Sequence, residues 1–266
     1  MEKTGHLSLP SLAMLAMFSL LPAFATAQSV AFTHSDGTAN CPAGTVCSTN
    51  WSGFAVTGSG FTDAKGSWKV PSVTCSSSTT YSSYWVGIDG YSSNTVEQTG
   101  TDSDCSSGHG VYYAWYEFYP NPSITINGFT VRPGDTITAE VTYSGGVFMT
   151  TIKDGSQSFS TQGTVSGAAR SSAEWIVERP ALCNGHHCKL TSLSNFGTVS
   201  LGTDYTGISQ TNYAAVNGGS LATIGSYGSA NIHRITMVNN SGATLALPSV
   251  LSGDGTSFTE TWFASS

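Results

Sequence analysis

The feature that most constrains the fold is a set of short stretches in which apolar and polar residues alternate. In residues 136–143 (TITAEVTY), Ile137, Ala139, Val141 and Tyr143 would all lie on one face of a strand. Turn residues such as Pro, Gly and Asp separate the stretches, and no segment of a dozen residues has a convincing helical period. The pattern predicts an all-β fold, a single antiparallel sandwich. Similar runs lie at residues 66–73, 123–131, 147–154 and 196–201.

The N-terminal 27 residues have the pattern of a secretory signal. Lys3 gives a positive start, residues 12–21 are apolar, and the tripeptide ATA ends at Ala27 as a small-x-small cleavage site. The apolar run is shorter than the roughly 20 residues that span a bilayer, so an N-terminal anchor is the weaker alternative. We therefore expect cleavage after Ala27 and a secreted, extracellular protein. The rest would be a tail or short pro-segment at residues 28–49 and one domain at residues 50–266.

Six cysteines in a chain with such a signal favour disulfide bonds, and six allow 15 pairings. The segment CNGHHC could instead ligate a metal through His186 and His187, but its ligands are crowded and no second CxxC-type half exists. We therefore expect no metal and no cofactor. We expect the pairs Cys41–Cys47, Cys75–Cys105 and Cys183–Cys188, because the two outer pairs are close in sequence.

Charge is scarce along the chain. The 266 residues include only 9 Lys+Arg and 16 Asp+Glu, or 9% charged residues, against about 25% in an average domain. Nine scattered basic residues cannot form the patch that a nucleic-acid binder or a polybasic membrane-surface protein needs. We expect neither a nucleic-acid partner nor a membrane partner, and a monomer.

Several catalytic classes lack their motifs. The sequence contains no Asp-Thr-Gly or Asp-Ser-Gly of pepsin-like enzymes, no GxSxG, no HExxH, no GxGxxG and no P-loop. A Ser-His-Asp triad could be assembled only from scattered residues. Catalysis by carboxylate and amide side chains is the class of chemistry that these absences leave open.

Four motifs occur together in one order. They are NWSGF at residues 50–54, YWVGIDG at 84–90 with EQTGTD at 97–102, YYAWYEFYP at 112–120, and AEWIVERP at 173–180. In this order and spacing the chain resembles the glutamic peptidases, the eqolisin family, from about Asn50 to the strand around Trp262. The resemblance implies a sandwich of two curved, mostly antiparallel sheets, a concanavalin-like jelly roll. It also implies a secreted acid endopeptidase that acts on polypeptide substrates.

The resemblance also implies site residues. The glutamine of the QTG-x-D motif corresponds to Gln98, and the glutamate that closes EWIVE corresponds to Glu178. These two would form the catalytic pair. Trp51 and Trp85 resemble the substrate-cleft tryptophans of the family. The residues that resemble its buried acidic support are Asp89, Asp102 and Glu117.

Three positions leave questions open. Glu174 opens the EWIVE motif four positions before Glu178, so a regular strand would put both carboxylates on one face and Glu174 stays an alternative. Tyr113 stands where the family often has an aspartate, which we expect to weaken the acidic network. Glu97 precedes Gln98 where an apolar residue is usual, and alternation should point it to the opposite face.

Two other classes of function fit a sandwich rich in Trp, Tyr and Glu. One is a jelly-roll glycoside hydrolase that uses Glu117 and Glu178 as its carboxylate pair, in which Gln98 would be dispensable. The other is a non-catalytic carbohydrate-binding module whose aromatic residues stack on sugars.

Overall fold

The computed structural model describes Met1 and residues 41–184 and 187–266. The predicted signal, most of the predicted tail and His186 lie outside the described residues. Within them the chain is built almost wholly of strands, with one helical turn α1 (Thr203–Thr206) and one 3₁₀ turn (Ile224–Ser226). The strands are β1 (Val46–Ser48), β2 (Trp51–Thr57), β3 (Phe61–Lys69), β4 (Ser83–Ile88), β5 (Val96–Ser106), β6 (His109–Tyr119), β7 (Ile124–Thr125), β8 (Thr136–Ser144), β9 (Val147–Asp154), β10 (Gln157–Gly163), β11 (Ser172–Glu178), β12 (Ala181–Asn184), β13 (His187–Leu190), β14 (Thr198–Leu201), β15 (Tyr213–Val216), β16 (Ala222–Thr223), β17 (Ile232–Val238), β18 (Thr244–Pro248) and β19 (Phe258–Trp262).

The strands form a sandwich whose two layers are joined at one side. The first layer has the order β7-β6-β5-β4-β11-β2-β17, and every one of these pairings is antiparallel. The second layer runs β10-β9-β8-β3 and continues from β3 to β14 and β15. Strands β18 and β19 connect β17 of the first layer to β14 of the second. The predicted β-sandwich is confirmed.

The main hydrophobic core lies between the two layers, because alternate residues of each strand point into it. Trp68 and Trp175 are fully buried there, with Ile137, Ala139 and Val141 of β8 contributing one face of the best-patterned strand. Burying side chains such as Ile137 and Val141 stabilises the fold by about 1.5–3 kcal/mol each.

The sequence pattern locates some strands better than others. The predicted run at residues 147–154 is β9, and residues 136–143 are within β8. The predicted strand at residues 123–131 is wrong apart from β7, because the chain turns at Gly128, which has a φ of 82°. The apolar positions Ile126 and Val131 in this segment are nonetheless buried. The alternating pattern therefore predicted which side chains are buried, although the backbone is not extended there.

Three disulfide bonds fasten the loops, and all three pairings are as predicted. The first holds the segment before β1, a strand that pairs in parallel with β17. The end of the predicted tail is thus part of the sheet. The pairs are Cys41–Cys47, Cys75–Cys105 and Cys183–Cys188.

Candidate active site

The site face is the face of β6, β5, β4, β11 and β2 that carries Gln98, and the ladder register determines what else lies on it. Gln98 pairs with Glu117 on β6 and with Gly87 on β4. Gly87 in turn pairs with Glu174 on β11. Directly opposed residues in an antiparallel ladder point to the same face, so these four form one row across the sheet.

A second row on the site face contains Glu178. It pairs with Ser83 on β4 and with Trp51 on β2, and Ser83 pairs with Asp102 on β5. Asp102 lies four positions after Gln98 on the same strand, so both point to the same face. The fold therefore brings the amide and the carboxylate of the predicted pair to one face of one sheet.

The Gln98 amide is held by a carboxyl group. Its Nε2 donates a hydrogen bond of 2.6 Å to Glu117 Oε2, and both side chains are fully buried. Within the described part of the chain, Gln98 Oε1 has no hydrogen-bond partner. An amide offers two N–H hydrogens and one carbonyl acceptor, so one hydrogen and the acceptor remain available for other atoms.

The Glu178 carboxylate is held by an indole. Trp85 Nε1 donates a hydrogen bond of 2.9 Å to Glu178 Oε2, and the Trp85 ring meets the Trp51 ring edge to face at 4.9 Å between centroids. Gly100 lies opposite Trp85, and a Cβ at Gly100 would be 2.7 Å from Trp85 Cβ, so the indole needs a glycine there. Both tryptophans are 0% exposed, so what the structure shows is their contact with each other and with the carboxylate. Their contact with substrate stays a prediction.

Electrostatics link the two halves of the site. Burial raises the pKa of Glu117 well above its usual value, and the nearby charge of Glu178 raises it further, while the Gln98 amide opposes the rise. Glu117 is thus close enough to Glu178 to sense its charge and is bonded to Gln98. The three side chains form one electrostatic unit.

Glu174 lies in a different environment, although it shares the site face. Burial raises its pKa well above the usual value, and the charges of Asp89 and Glu97 add to the rise. Two nearby polar groups oppose the shift, but neither carboxyl oxygen has a hydrogen-bond partner among the described residues. These surroundings distinguish Glu174 from Glu178, whose carboxyl group is bonded to Trp85, and the pairing of Glu178 with Gln98 stays a prediction.

Asp89 supports the loop that leads into β11. Its carboxylate accepts hydrogen bonds from the backbone N–H groups of Arg170 and Ser171, at 2.7 and 2.9 Å. Asp89 follows β4 with a φ of 72°, a conformation that Asp tolerates better than most residues. It fixes the chain at the entry to β11, the strand that carries Glu178.

Asp102 is the centre of a second hydrogen-bond network. Trp115 Nε1 donates to its Oδ1 at 2.6 Å and the Tyr113 hydroxyl donates to its Oδ2 at 2.8 Å. Burial raises the pKa of Asp102 to about 6, although donors including these two oppose the rise. The expectation that Tyr113 weakens the acidic network is therefore wrong, because its hydroxyl is one of the donors.

Sequence reasoning missed Asp104. Its Oδ2 lies 3.0 Å from the same Tyr113 hydroxyl, and its Oδ1 accepts the backbone N–H of Ser82 at 3.0 Å. Asp104 stands two positions after Asp102 on β5, so strand alternation alone would place both carboxyls on one face. That signal was present in the sequence.

The described residues offer neither a metal site nor a membrane-spanning helix. Within residues 41–184 and 187–266, no group of three or more His, Cys, Asp or Glu side chains is arranged to hold a metal ion. In the same part of the chain, no helix has the length and apolarity required to cross a bilayer.

Fold and site together define a β-sandwich protein with a buried carboxylate–amide centre. The sequence model of the Peptidase A4 family matches residues 49–247, and the chain belongs to that family. It is 36% identical over 157 residues to scytalidopepsin B of Scytalidium lignicola, covering 55% of this chain and 58% of that protein. It is 32% identical over 199 residues to aspergillopepsin-2 of Aspergillus niger, covering 65% of this chain and 66% of that protein. The chain thus spans less than two thirds of the length of either relative.

Solved structures of similar proteins have the same fold as this chain. A crystal structure of scytalido-glutamic peptidase with a transition state analog inhibitor superposes with a TM-score of 0.66 at 25% identity, covering 81% of this chain and 98% of that one. The aspergilloglutamic peptidase of Aspergillus niger superposes with a TM-score of 0.55 at 29% identity, covering 69% and 99%.

Replacing Trp85 with phenylalanine tests the bond to Glu178. The carboxylate loses a donor that favours its charged form, worth about 1.5–3 kcal/mol for a bond to a charged group. If the protein cleaves peptides as proposed below, we expect the acidic limb of the pH profile of kcat/KM for that cleavage to move to higher pH by about one to two units. Trp68→Phe is the matched control, because its indole donates to Thr101 in the core at 2.9 Å. An unmoved acidic limb in Trp85→Phe, or an equal shift in both variants, would contradict the role of Trp85.

Proposed function

We propose that the protein is an exported acid endopeptidase in which Glu178 and Gln98 together activate a water molecule against a peptide bond. The observation that carries the proposal is that Gln98, bonded to Glu117, and Glu178, bonded to Trp85, lie on one buried face of the same sheet. Membership of the Peptidase A4 family supports polypeptides as the substrate class. The disulfides support an oxidising compartment.

The first chemical step forms the bond to water. The Glu178 carboxylate accepts a proton from the water molecule, and the water oxygen forms a bond to the scissile carbonyl carbon. The carbonyl π electrons move to oxygen, which becomes an oxyanion. The remaining N–H hydrogen of Gln98 can stabilise that oxyanion, while its Oε1 can orient the water before attack.

The second step breaks the peptide bond. The protonated Glu178 returns its proton to the leaving nitrogen, the C–N bond breaks, and the oxyanion electrons re-form the carbonyl. The products are a carboxylic acid and an amine, and Glu178 is again a carboxylate. The buried site strengthens these interactions, because water that would screen them is excluded.

Digestion of an acid-denatured protein at about pH 4, beside a polysaccharide assay, tests the proposal. We expect peptide cleavage, and a loss of about 10²–10³ in kcat for Gln98→Ala, the usual effect of losing one oxyanion donor. Gln157→Ala, a change on strand β10 of the other layer, is the control and should retain activity.

The two alternatives predict other results in the same assays. A glycoside hydrolase would cleave the polysaccharide and tolerate Gln98→Ala, whereas a binding module would cleave neither substrate. Peptide cleavage that survives in Gln98→Ala would overturn the assignment of the amide.

A further inference from the structure

A single phenolic hydroxyl lies between two buried carboxyl groups on the site face. Tyr113 Oη is 2.8 Å from Asp102 Oδ2 and 3.0 Å from Asp104 Oδ2. The other oxygen of each carboxyl is already bonded, to the Trp115 indole and to the Ser82 backbone N–H. Both aspartates are at most 5% exposed.

The two contacts of the Tyr113 hydroxyl need two hydrogens, and the phenol supplies only one. A phenol has one O–H hydrogen, and ionised carboxylates are acceptors only. Tyr113 can therefore donate to one carboxylate, and the second short contact needs a hydrogen from the other carboxyl group. Without it, a buried carboxylate oxygen would face the lone pairs of the phenol, and two like charges would share one site.

We propose that Asp104 and Asp102 hold a shared proton through Tyr113, and that this proton fixes the Trp115 indole beneath the catalytic pair. In the singly protonated state Asp104 Oδ2–H donates to Tyr113 Oη, and Tyr113 O–H donates to Asp102 Oδ2. The Trp115 N–H donates to the other oxygen of Asp102. Tyr113 is then a positioning residue, whose effect on catalysis rests on the proposed peptidase function.

The Trp115 ring transmits the effect to the site. It belongs to the apolar cluster of the site face that also contains Trp51, Trp85 and Ile176. Trp115 stands two positions before Glu117 on β6, so both side chains point to the same face. Loss of the shared proton would leave two buried carboxylates that repel each other around one hydroxyl, and a displacement of Asp102 would move the Trp115 indole that it holds.

The surrounding groups fit a retained proton. Burial raises the pKa of Asp102 to about 6, and burial together with the charge of Asp102 raises that of Asp104 well above its usual range. The groups that favour their charged forms are hydrogen-bond donors, namely Tyr113, Trp115, the Ser82 backbone and the Ser83 hydroxyl. The other titratable groups that sense the pair are Tyr81, Tyr84 and Glu117.

Carboxyl titration tests the shared proton without any activity assay. In protein labelled with ¹³C at the aspartate carboxyl carbons, we expect one signal of the pair to stay protonated above pH 6, where exposed aspartates are ionised. In Asp104→Asn the amide still donates to Tyr113 and, like the protonated Asp104, carries no charge, so Asp102 should titrate near its wild-type pH while the titration of the pair at higher pH disappears. In Tyr113→Phe, Asp102 loses a donor and should titrate at higher pH. Loss of both protons at ordinary aspartate values in the wild type would overturn the inference.

Activity tests the positioning role. We expect the alkaline limb of the kcat/KM profile to move up by at least one pH unit in Asp104→Asn. Tyr113→Phe should lower kcat/KM by about tenfold, with its alkaline limb moved down. Tyr112→Phe is the matched control, since its hydroxyl accepts the Val73 backbone N–H at 3.2 Å, outside the pair. Rates are compared only where near-ultraviolet circular dichroism shows the folded state.

The two measurements separate the failure of this inference from that of the proposed function. An inactive wild type whose carboxyl pair still shares a proton would overturn the peptidase proposal and the catalytic role of Tyr113, but not the proton sharing. An active wild type whose alkaline limb does not move in Asp104→Asn would overturn the positioning role alone.

Discussion

Replacing Glu178 with glutamine is expected to lower kcat for peptide hydrolysis at about pH 4 by about 10⁴-fold while leaving the fold intact. Glutamine keeps the shape of the side chain and can still accept the Trp85 indole N–H through its carbonyl oxygen. It cannot accept a proton from water and return it to the leaving nitrogen. General acid–base groups contribute about 10²–10⁴ in rate, and Glu178 would serve in both steps.

Glu174→Gln is the matched control for this prediction. It removes a buried glutamate four positions away on the same strand and the same face, but one surrounded by Asp89 and Glu97. We expect this variant to keep activity within a few-fold of the wild type. Single-turnover rates with a peptide substrate give the comparison, and circular dichroism reports on folding. Wild-type rates in Glu178→Gln with a collapse in Glu174→Gln would reverse the assignment.

The sequence is informative wherever a property is local. Alternation located β8 and β9, and short separations in sequence identified the pairs Cys41–Cys47 and Cys183–Cys188, which left Cys75 and Cys105 for the third pair. Both are set by neighbours along the chain, because strand faces repeat every two residues and nearby cysteines meet at little entropic cost.

Properties set by strand pairing were harder to predict. Tyr113 was expected to weaken the acidic network, but its role depends on β6 pairing in the register that puts it opposite Asp102. Likewise the surroundings of Glu174 and Glu178 differ because β4 and β5 place different side chains opposite each. The sequence of β11 alone cannot reveal which side chains surround each glutamate, because Glu174 and Glu178 are four positions apart and lie on the same face of one strand.

Replacing Glu97 with glutamine is expected to stabilise the protein at pH 7 and to change little at pH 4. Glu97 is fully buried, and neither of its carboxyl oxygens has a hydrogen-bond partner in the described part of the chain. Burial, assisted by the charge of Asp89, raises its pKa from 4.5 to about 9. A raised folded-state pKa favours folding below the unfolded value, and this contribution is lost as the pH rises through the interval from about 4.5 to about 9.

The size of the stabilisation expected for Glu97→Gln follows from the linkage between proton binding and folding. Each pH unit in that interval costs about 1.4 kcal/mol, so wild-type Glu97 costs about 3 kcal/mol at pH 7 relative to pH 4.5. The amide does not titrate, so Glu97→Gln should raise the free energy of unfolding at pH 7 by that amount. For a domain of this size the midpoint temperature should rise by about 6–12 °C. Thermal unfolding followed by near-ultraviolet circular dichroism at both pH values measures the effect.

Other buried carboxyl groups also stabilise the folded state at acidic pH. Burial also raises the pKa values of Glu174 and Glu260 well above the usual range, so the folded state holds protons that the unfolded chain releases as the pH rises. In acid, after removal of the predicted signal, the chain would have only 8 Lys+Arg, 5 His and the N-terminus to repel one another, so neutral carboxyls stabilise the fold without a large opposing charge. Asp204→Asn, a change at an exposed carboxylate in α1, should leave the midpoint temperature unchanged at both pH values. Equal midpoints for Glu97→Gln and the wild type at pH 7 would show that Glu97 does not limit stability there.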